Sequence, residues 1–304
     1  MKVTLGGTGS PLPDAARAGP MTLVEAGPDA DADAAAGGQG APAGTASTGN
    51  PTRLMFDAGR GAVMRLAAAG LFPVQLDAVL LTHLHSDHIC ALNDVITTHW
   101  VMTLDPQHRL PIYGPRRTTE MVDGLMAMLA PDVEFRLAHH RDLEWAPQHD
   151  VVEVAPGDTF SLGDAAVTVG RTSHAPVEPS VGYRVACGGA SVVIAGDGVP
   201  CDELDELCAG ADAYVQTVLR PELVRAMPSK RLQDILEYHS SVADAAQTAA
   251  RAGVRTLVLT HYLPQMAPGA EQEWRDIAAE HFDGEVVVGD DLTSFTLPRL
   301  ASGP

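Results

Sequence analysis

The segment 82–88, Thr-His-Leu-His-Ser-Asp-His, concentrates side chains that bind metal ions, directly after a run (77–81) that predicts a buried strand. Residues two apart in an extended segment point the same way, so His83 and His85 are expected to face one metal ion together. Asp87 and His88 follow where a helix is expected to begin, and adjacent residues there diverge towards a second centre. Imidazole nitrogen and carboxylate oxygen suit zinc, with manganese or iron as alternatives.

A solvated loop is the plain alternative for these three histidines, but a loop has no structural need for this spacing. Three further segments lead from an apolar strand to a histidine or an aspartate. Strand 166–169 precedes His174, strand 192–196 ends at Asp197, and strand 257–260 leads to His261. A lone histidine after a strand is usually structural. The repeated position at a strand's carboxyl end predicts an α/β sandwich with a site along one edge.

These motifs resemble those of the metallo-β-lactamase superfamily, and most closely its ribonuclease Z branch with the arylsulfatase-like relatives. The resemblance extends from Val3 to about Leu297 and implies a four-layer αββα sandwich. It also implies a dinuclear site that holds two zinc ions. The implied ligands are His83, His85 and His174 for one ion, Asp87, His88 and His261 for the other, and Asp197 as the bridge between them.

His239 distinguishes a ribonuclease Z-like protein from other members of the superfamily. It precedes a capping-box pattern at Ser241 and Asp244, and Gly253 is expected to end the helix that begins there. A helix N-terminus favours anions. In the enzymes that this sequence resembles, the matching histidine contacts the phosphate and helps the leaving group to depart. The alternative is a histidine that is hydrogen-bonded near a helix cap.

The resemblance implies that the chain hydrolyses a phosphodiester. A dinuclear site lowers the pKa of bound water and polarises the substrate oxygen. Asp87 is expected to orient the hydroxide besides binding metal, and His239 to stabilise charge or to protonate the leaving oxygen. Asp57, at the end of a strand, is implied to support the active-site loop without binding metal.

The net charge of the chain restricts the kind of partner it can bind. The 304 residues include 39 acidic and 20 basic side chains, a net charge of −19, whereas nucleic-acid binders usually carry a basic footprint. A polyanionic substrate would therefore need a local basic patch. Segment 220–231 has four basic residues against one acidic residue. This segment could meet phosphates, or it could be an ordinary solvated helix face.

Composition predicts one cytoplasmic domain, 1–304, with a low-complexity insert at about 26–51. No apolar run reaches the roughly 18 residues that a membrane span needs. The N-terminus lacks a signal peptide's apolar region, and the four cysteines show no Cys-x-x-Cys pattern. The insert is expected to be a disordered loop between hairpin strands 21–24 and 53–56, because it has few large apolar groups. A substrate-gripping role is the alternative.

Local patterns predict helices at 89–102 and at about 118–129. His99, on the first of these helices, is expected to be packed or at the surface without binding metal. The pair 139–140 is expected to lie in a surface turn.

The sequence thus predicts a zinc-dependent phosphodiesterase that cuts the 3′ trailer from precursor tRNA, and the resemblance also suggests a homodimer. Two departures from the ribonuclease Z pattern weaken the assignment of tRNA as the substrate. Only 186–191 separates two strands between which many bacterial ribonucleases Z carry a tRNA-gripping arm, and segment 261–264 lacks the usual polar and basic residues. The alternative is a small-molecule hydrolase: arylsulfatase-like, a cyclic-nucleotide phosphodiesterase or a lactonase. A non-catalytic metalloprotein is a third class.

Overall fold

Two facing β-sheets form the centre of the protein. The computed structural model describes residues 1–27 and 50–298, and within these ranges each sheet has seven strands. The first sheet contains β1 (Lys2–Gly7), β2 (Met21–Ala26), β3 (Thr52–Phe56), β4 (Ala78–Leu80), β5 (Leu110–Gly114), β6 (His149–Glu153) and β14 (Ser294–Thr296). The second contains β7 (Thr159–Leu162), β8 (Ala165–Arg171), β9 (Val181–Cys187), β10 (Ala190–Ile194), β11 (Ala213–Leu219), β12 (Thr256–Leu263) and β13 (Glu285–Val288). The strand orders are β14-β1-β2-β3-β4-β5-β6 and β13-β12-β11-β10-β9-β8-β7.

Helices cover the outer faces of both sheets. They are α1 (Ala62–Ala68), α2 (Ser86–Ile89), α3 (Leu92–Met102), α4 (Thr118–His139), α5 (Asp202–Cys208), α6 (Pro221–Arg225), α7 (Lys230–Gln233), α8 (Val242–Ala252) and α9 (Glu271–Ala279), with short 3₁₀ helices at Pro73–Gln75 and Asp234–Glu237. No helix in the described ranges combines the length and the apolar character needed to cross a bilayer.

Apolar side chains fill three layers, which confirms the predicted αββα sandwich. Successive residues of a strand face opposite sides, so strands covered on both faces are apolar throughout. In β3, Leu54 and Phe56 pack between the sheets, whereas Met55 packs under α1 and α3. In β10, Val192 faces the other sheet and Val193 faces the layer of α5, α8 and α9.

The two sheets share one pairing scheme, and this scheme brings the predicted ligands to one edge. Strands β3 to β6 pair in parallel, as do β10 to β13, and the remaining neighbours pair antiparallel. Strands β8, β10 and β12 therefore run in the same direction and end at the same edge of the second sheet. The loop after β4 meets that edge, since the Val181 amide donates to the Thr82 carbonyl at 2.9 Å.

Two predicted helices differ in length from the observed ones. Segment 89–102 is interrupted at Cys90 and Ala91, because the amide of Ala91 bonds to the Ala58 carbonyl (2.9 Å) instead of continuing a helix. Helix α4 continues past Pro131 to His139, ten residues beyond the predicted end at 129. Proline removes one helical hydrogen bond, but the ion pair between Asp132 and Arg136 (2.8 Å) supports the turn that follows.

Two hairpins bear on the sequence predictions. Strands β2 and β3 pair antiparallel with Ala26 opposite Thr52, as the predicted hairpin requires. Of the insert predicted at about 26–51, residues 28–49 lie outside the described residues. Strands β9 and β10 are joined by Gly188 and Gly189, both at positive φ, with Cys187 opposite Ala190. This tight turn confirms that the chain has no protruding arm at that position.

Candidate metal centre

The structure brings all of the predicted ligand residues into two adjacent groups. One group contains His83, His85, His174 and Asp197, and the other contains Asp87, His88 and His261. Within each group the ligand atoms all lie within 4.8 Å of one another. Asp197, the expected bridge, lies between the groups, because its Oδ2 is 3.6 Å from His83 Nε2 and 3.3 Å from His88 Nε2.

The loop after β4 is organised by Asp57. Its Oδ1 accepts the Thr82 amide at 2.8 Å, and its Oδ2 accepts the Thr82 hydroxyl at 2.9 Å and His88 Nδ1 at 2.8 Å. Because the Thr82 hydroxyl donates to Asp57, His83 Nδ1 donates to Thr82 Oγ1 (3.0 Å). Both histidines are therefore held with Nε2 free to bind metal, which is the role that the resemblance implied for Asp57.

The second sheet supplies its ligands from separate strand ends. His174 follows β8, and its Nδ1 donates to the Tyr238 carbonyl at 2.8 Å. Asp197 follows β10 through Gly196, whose φ of 68° favours glycine and whose added Cβ would lie 2.7 Å from Thr82. His261 lies near the end of β12 with φ of 51°, an unusual conformation for a non-glycine residue.

Charge and burial set the protonation of the cluster. Burial lowers the pKa of His174 to about 4, and burial together with the neighbouring His88 holds the pKa of His83 well below its ordinary value. Burial also acts on His88, but the carboxylates of Asp197 and Asp57 outweigh it and raise the pKa of His88 well above its ordinary value. Burial alone would raise the pKa of Asp197, whereas the surrounding histidines hold it well below the usual range.

The donor atoms fit a bound cation. His83 Nε2 and His174 Nε2 lie 3.1 and 3.2 Å from His85 Nδ1, and the Nδ1 atoms of His83 and His174 are already used as donors. Nitrogen lone pairs thus converge on one point, and a cation is what satisfies such a convergence. Buried polar atoms without a hydrogen-bond partner in the described residues include His88 Nε2 and Asp197 Oδ1, which both belong to the cluster. Each is a metal-ligand atom type.

His239 lies against this cluster. It is buried, its Nε2 is 3.2 Å from Asp197 Oδ2, and its Nδ1 donates to the Ile235 carbonyl at 3.2 Å. The predicted capping box is present, since Ser241 Oγ accepts the Asp244 amide at 3.0 Å and Asp244 accepts the Ser241 amide at 2.9 Å. The Ser240 amide and hydroxyl both donate to the Gly198 carbonyl (2.8 Å), which ties the His239 segment to the Asp197 loop.

Other candidates lie apart from the cluster. His99 is buried and stacks on His108, with ring centroids 5.0 Å apart. His139 is exposed, but it ends α4 instead of lying in the predicted turn, because that helix continues past Pro131. In the basic segment, Arg220 pairs with Glu222 and Glu273 and lies 5.8 Å over the Trp274 ring. Arg220 is therefore engaged within the protein.

Sequence reasoning missed two residues that hold or border the centre. The Tyr183 hydroxyl donates to the Leu81 carbonyl at 2.8 Å and so joins the sheets beside the metal loop. Tyr238 holds His174 through its backbone and also contacts His239. Position next to His239 is the signal that could have indicated Tyr238, whereas no local pattern indicates Tyr183.

Known proteins resemble this chain over almost its whole length. Residues 52–262 match the β-lactamase superfamily domain. A curated protein named ribonuclease Z, from Mycolicibacterium gilvum (strain PYR-GCK), is 47% identical over 293 residues, which cover 96% of this chain and 94% of that protein. The chain belongs to the ribonuclease Z family of the β-lactamase superfamily.

Solved structures of this superfamily agree with the fold. The metallo-β-lactamase fold protein YhfI from Bacillus subtilis matches with a TM-score of 0.69 and 22% identity, covering 97% of this chain and 98% of that one. Human tRNase Z, short form, matches with a TM-score of 0.65 and 21% identity, covering 98% of this chain and 100% of that one. Membership of the ribonuclease Z family makes the chain a hydrolase, and the superfamily implies a divalent metal ion at the clustered histidines and aspartates.

Proposed function

We propose that this chain is a cytoplasmic, zinc-dependent endoribonuclease that removes the 3′ trailer from precursor tRNA. The observation that carries the proposal is the pair of adjacent ligand groups beside His239, in a chain 47% identical to a protein named ribonuclease Z. The first group supplies three histidines and the second supplies two histidines and a carboxylate, with Asp197 between them. This composition suits two zinc ions better than metals that prefer all-oxygen ligands.

Each of the two ligand groups is proposed to hold one metal ion. His83, His85 and His174 would hold one ion, Asp87, His88 and His261 would hold the other, and Asp197 would contact both. When bound, such ions lower the pKa of water towards neutrality and neutralise charge on a phosphate. The protein's own contribution is to keep the imidazoles oriented, through the Nδ1 hydrogen bonds to Asp57, Thr82 and Tyr238.

Asp87 and His239 are the proposed catalytic residues. Asp87 Oδ2 lies 3.1 Å from His261 Nε2, and neighbouring histidines offset burial to keep the pKa of Asp87 below its ordinary value. An ionised carboxylate can accept a hydrogen bond from the attacking water and align it. His239 Nδ1 donates to the Ile235 carbonyl, and its Nε2 faces Asp197 Oδ2 at 3.2 Å. In the imidazolium form Nε2 carries the second proton, and this is the proton that His239 would give to the leaving oxygen.

A small-molecule hydrolase remains the second candidate, because two observations weaken a grip on tRNA. The β9–β10 turn has no arm, and Arg220 of the basic segment is held by Glu222, Glu273 and Trp274. With a net charge of −19, the surface as a whole does not attract RNA. Its substrates would be an aryl sulfate, a cyclic nucleotide or a lactone.

We also propose that the protein is a homodimer, which a measurement of its mass in solution would test.

Cleavage of a precursor tRNA with a 3′ trailer, near physiological salt, tests the proposal. Asp87→Ala should abolish cleavage, because metal binding and water alignment are both lost. His239→Ala should reduce cleavage while the metal content stays near wild type, since Asp197 keeps its other histidine neighbours. Equal cleavage by the His239 variant would refute its assigned role. No cleavage of the precursor by a preparation that still hydrolyses a simple phosphodiester would favour the small-molecule candidate.

A further inference from the structure

Tyr238 borders the accessible side of the metal centre. Of the proposed ligands His85 is partly exposed and the other six are buried. The His85 ring lies 5.0 Å from the His174 ring, which in turn lies 5.4 Å from the Tyr238 ring. Tyr238 is itself partly exposed, whereas the neighbouring His239 is buried. His174 therefore contacts both partly exposed rings, His85 on one hand and Tyr238 on the other, at the margin of the metal centre.

Residues of the metal centre contact both the backbone and the ring of Tyr238. The Tyr238 carbonyl accepts His174 Nδ1 at 2.8 Å, so the backbone is held at a fixed place relative to the cluster. The ring is edge-on to His174, at 73°, and lies 4.8 Å from the His239 ring. In the described part of the chain, its hydroxyl has no hydrogen-bond partner. The ring position thus does not depend on the hydroxyl.

The ring carries no formal charge near neutral pH, because the ordinary pKa of a tyrosine hydroxyl is about 10. An aromatic face is a binding surface for nucleobases that needs no positive charge.

We propose that the Tyr238 ring stacks on an unpaired nucleobase next to the scissile phosphodiester. This inference rests on the proposed function, since it requires an RNA substrate. Single-stranded RNA is commonly recognised by stacking on aromatic side chains. Stacking contributes affinity without positive charge, which suits a chain that has a net charge of −19 and an Arg220 that is paired within the protein. Tyr238 is thus a substrate-binding residue whose position is set by His174.

Paired substrates test the stacking contact. One precursor tRNA is intact, and two others carry an abasic nucleotide either just before or just after the cleavage site. Wild type, Tyr238→Phe and Tyr238→Leu are compared by kcat/KM at the trailer boundary. Phe135→Ala is the matched control, because Phe135 is 72% exposed and lies on α4, which supplies none of the proposed ligands.

The wild type should cleave one of the abasic substrates less efficiently than the intact one, on the order of tenfold in kcat/KM. Tyr238→Phe and Phe135→Ala should show the same ratio. Tyr238→Leu should lose this discrimination and cleave the intact precursor as inefficiently as the wild type cleaves the affected abasic precursor. Its metal content should match wild type, because the bond to His174 comes from the backbone. Should the leucine variant bind less metal, the phenylalanine variant still decides between ring and hydroxyl.

Three results would overturn the stacking contact. They are a wild type that does not discriminate at either position, a leucine variant that discriminates as wild type does, or a phenylalanine variant that behaves as leucine does. The last result would show that substrate discrimination depends on the Tyr238 hydroxyl and not on its ring. Absence of any cleavage by the wild type is distinguishable from these, since it would refute the proposed function and this inference with it.

Discussion

The two sheets contribute to the metal centre in different ways. The first supplies its four ligand residues from one short segment after β4: His83 and His85 from the loop, and Asp87 and His88 from α2. The second supplies one residue from each of three segments: His174 after β8, Asp197 after β10 and His261 within β12. In the first set Asp57 holds His88 directly and His83 through Thr82, whereas the second set depends on the pairing of several strands. A defect in the loop should therefore affect metal binding locally, and a defect in the second sheet should affect site and stability together.

Asp197→Asn should have the largest effect, because this residue joins the two regions. Its Oδ2 lies 3.2 to 3.9 Å from five histidines, His83, His88, His174, His239 and His261. An amide removes the negative charge that compensates them and adds a donor where cations are expected. Metal per chain should fall in both groups, and hydrolysis of a phosphodiester should fall to the level of the Asp87→Ala blank. Elemental analysis of the purified variant measures the first effect. Full retention of one ion would show that Asp197 serves only one group.

Asp57→Ala should disrupt the first region without rearranging the second. The Thr82 amide, the Thr82 hydroxyl and His88 Nδ1 all lose their acceptor. Each buried donor left unsatisfied costs about 1–3 kcal/mol of stability. Metal affinity should fall roughly 10- to 100-fold, as is typical when a ligand histidine loses its supporting carboxylate.

Metal titration and urea unfolding measure these two effects of Asp57→Ala. Asp57→Asn is the matched control, since its amide oxygen can still accept the Thr82 amide, and its effect should be smaller. Equal metal affinity in wild type and Asp57→Ala would show that the loop holds its shape without Asp57.

A histidine remote from the site should make the first sheet's helical layer sensitive to acid. Burial, and secondarily His108, lowers the pKa of His99 to about 4 from an ordinary value of 6.5. The unfolded chain therefore binds more protons between these values, so this contribution to stability is present above pH 6.5 and is lost as pH falls towards 4. The full loss is about 3 kcal/mol.

Unfolding by urea at several pH values checks the role of His99. His99→Leu should lose less stability than wild type when the pH falls from neutrality to about 5, since it cannot take up the proton. His140→Gln, at an exposed position after α4, should follow wild type. Parallel pH profiles for wild type and the leucine variant would refute the assignment.

Ser241→Ala should have the smallest effect, and it falls in the second region. The Ser241 side chain accepts the Asp244 amide at the start of α8, two residues after His239. Loss of an N-cap costs about 1 kcal/mol. Ser229→Ala is the matched control, because Ser229 precedes α7 without a side-chain capping bond. Thermal unfolding should separate the two variants, and an equal effect would mean that the capping box does not stabilise α8.

Most individual elements could be predicted because they are encoded locally. The ligand loop, the strands that lead to His174, Asp197 and His261, and the capping box at Ser241 each occupy a few consecutive residues. The two helix errors have different causes, one non-local and one local. The break at Cys90 and Ala91 follows from a hydrogen bond to Ala58, a residue far earlier in the chain. The extension of α4 past Pro131 is supported by the ion pair between Asp132 and Arg136 in the next turn.

The sequence by itself determined which residues could bind metal, because ligand chemistry and the alternation of strand faces are properties of short segments. Only the tertiary structure decided how those residues meet. Strand pairing in two facing sheets, antiparallel from β8 to β10 and parallel from β10 to β12, brings the ends of β8, β10 and β12 to one edge, where a hydrogen bond from Val181 to Thr82 joins them to the segment after β4. The same packing places Asp197 between the groups and Tyr238 at the rim. No local pattern contains that information, because contacts between distant segments depend on burial of the apolar layers.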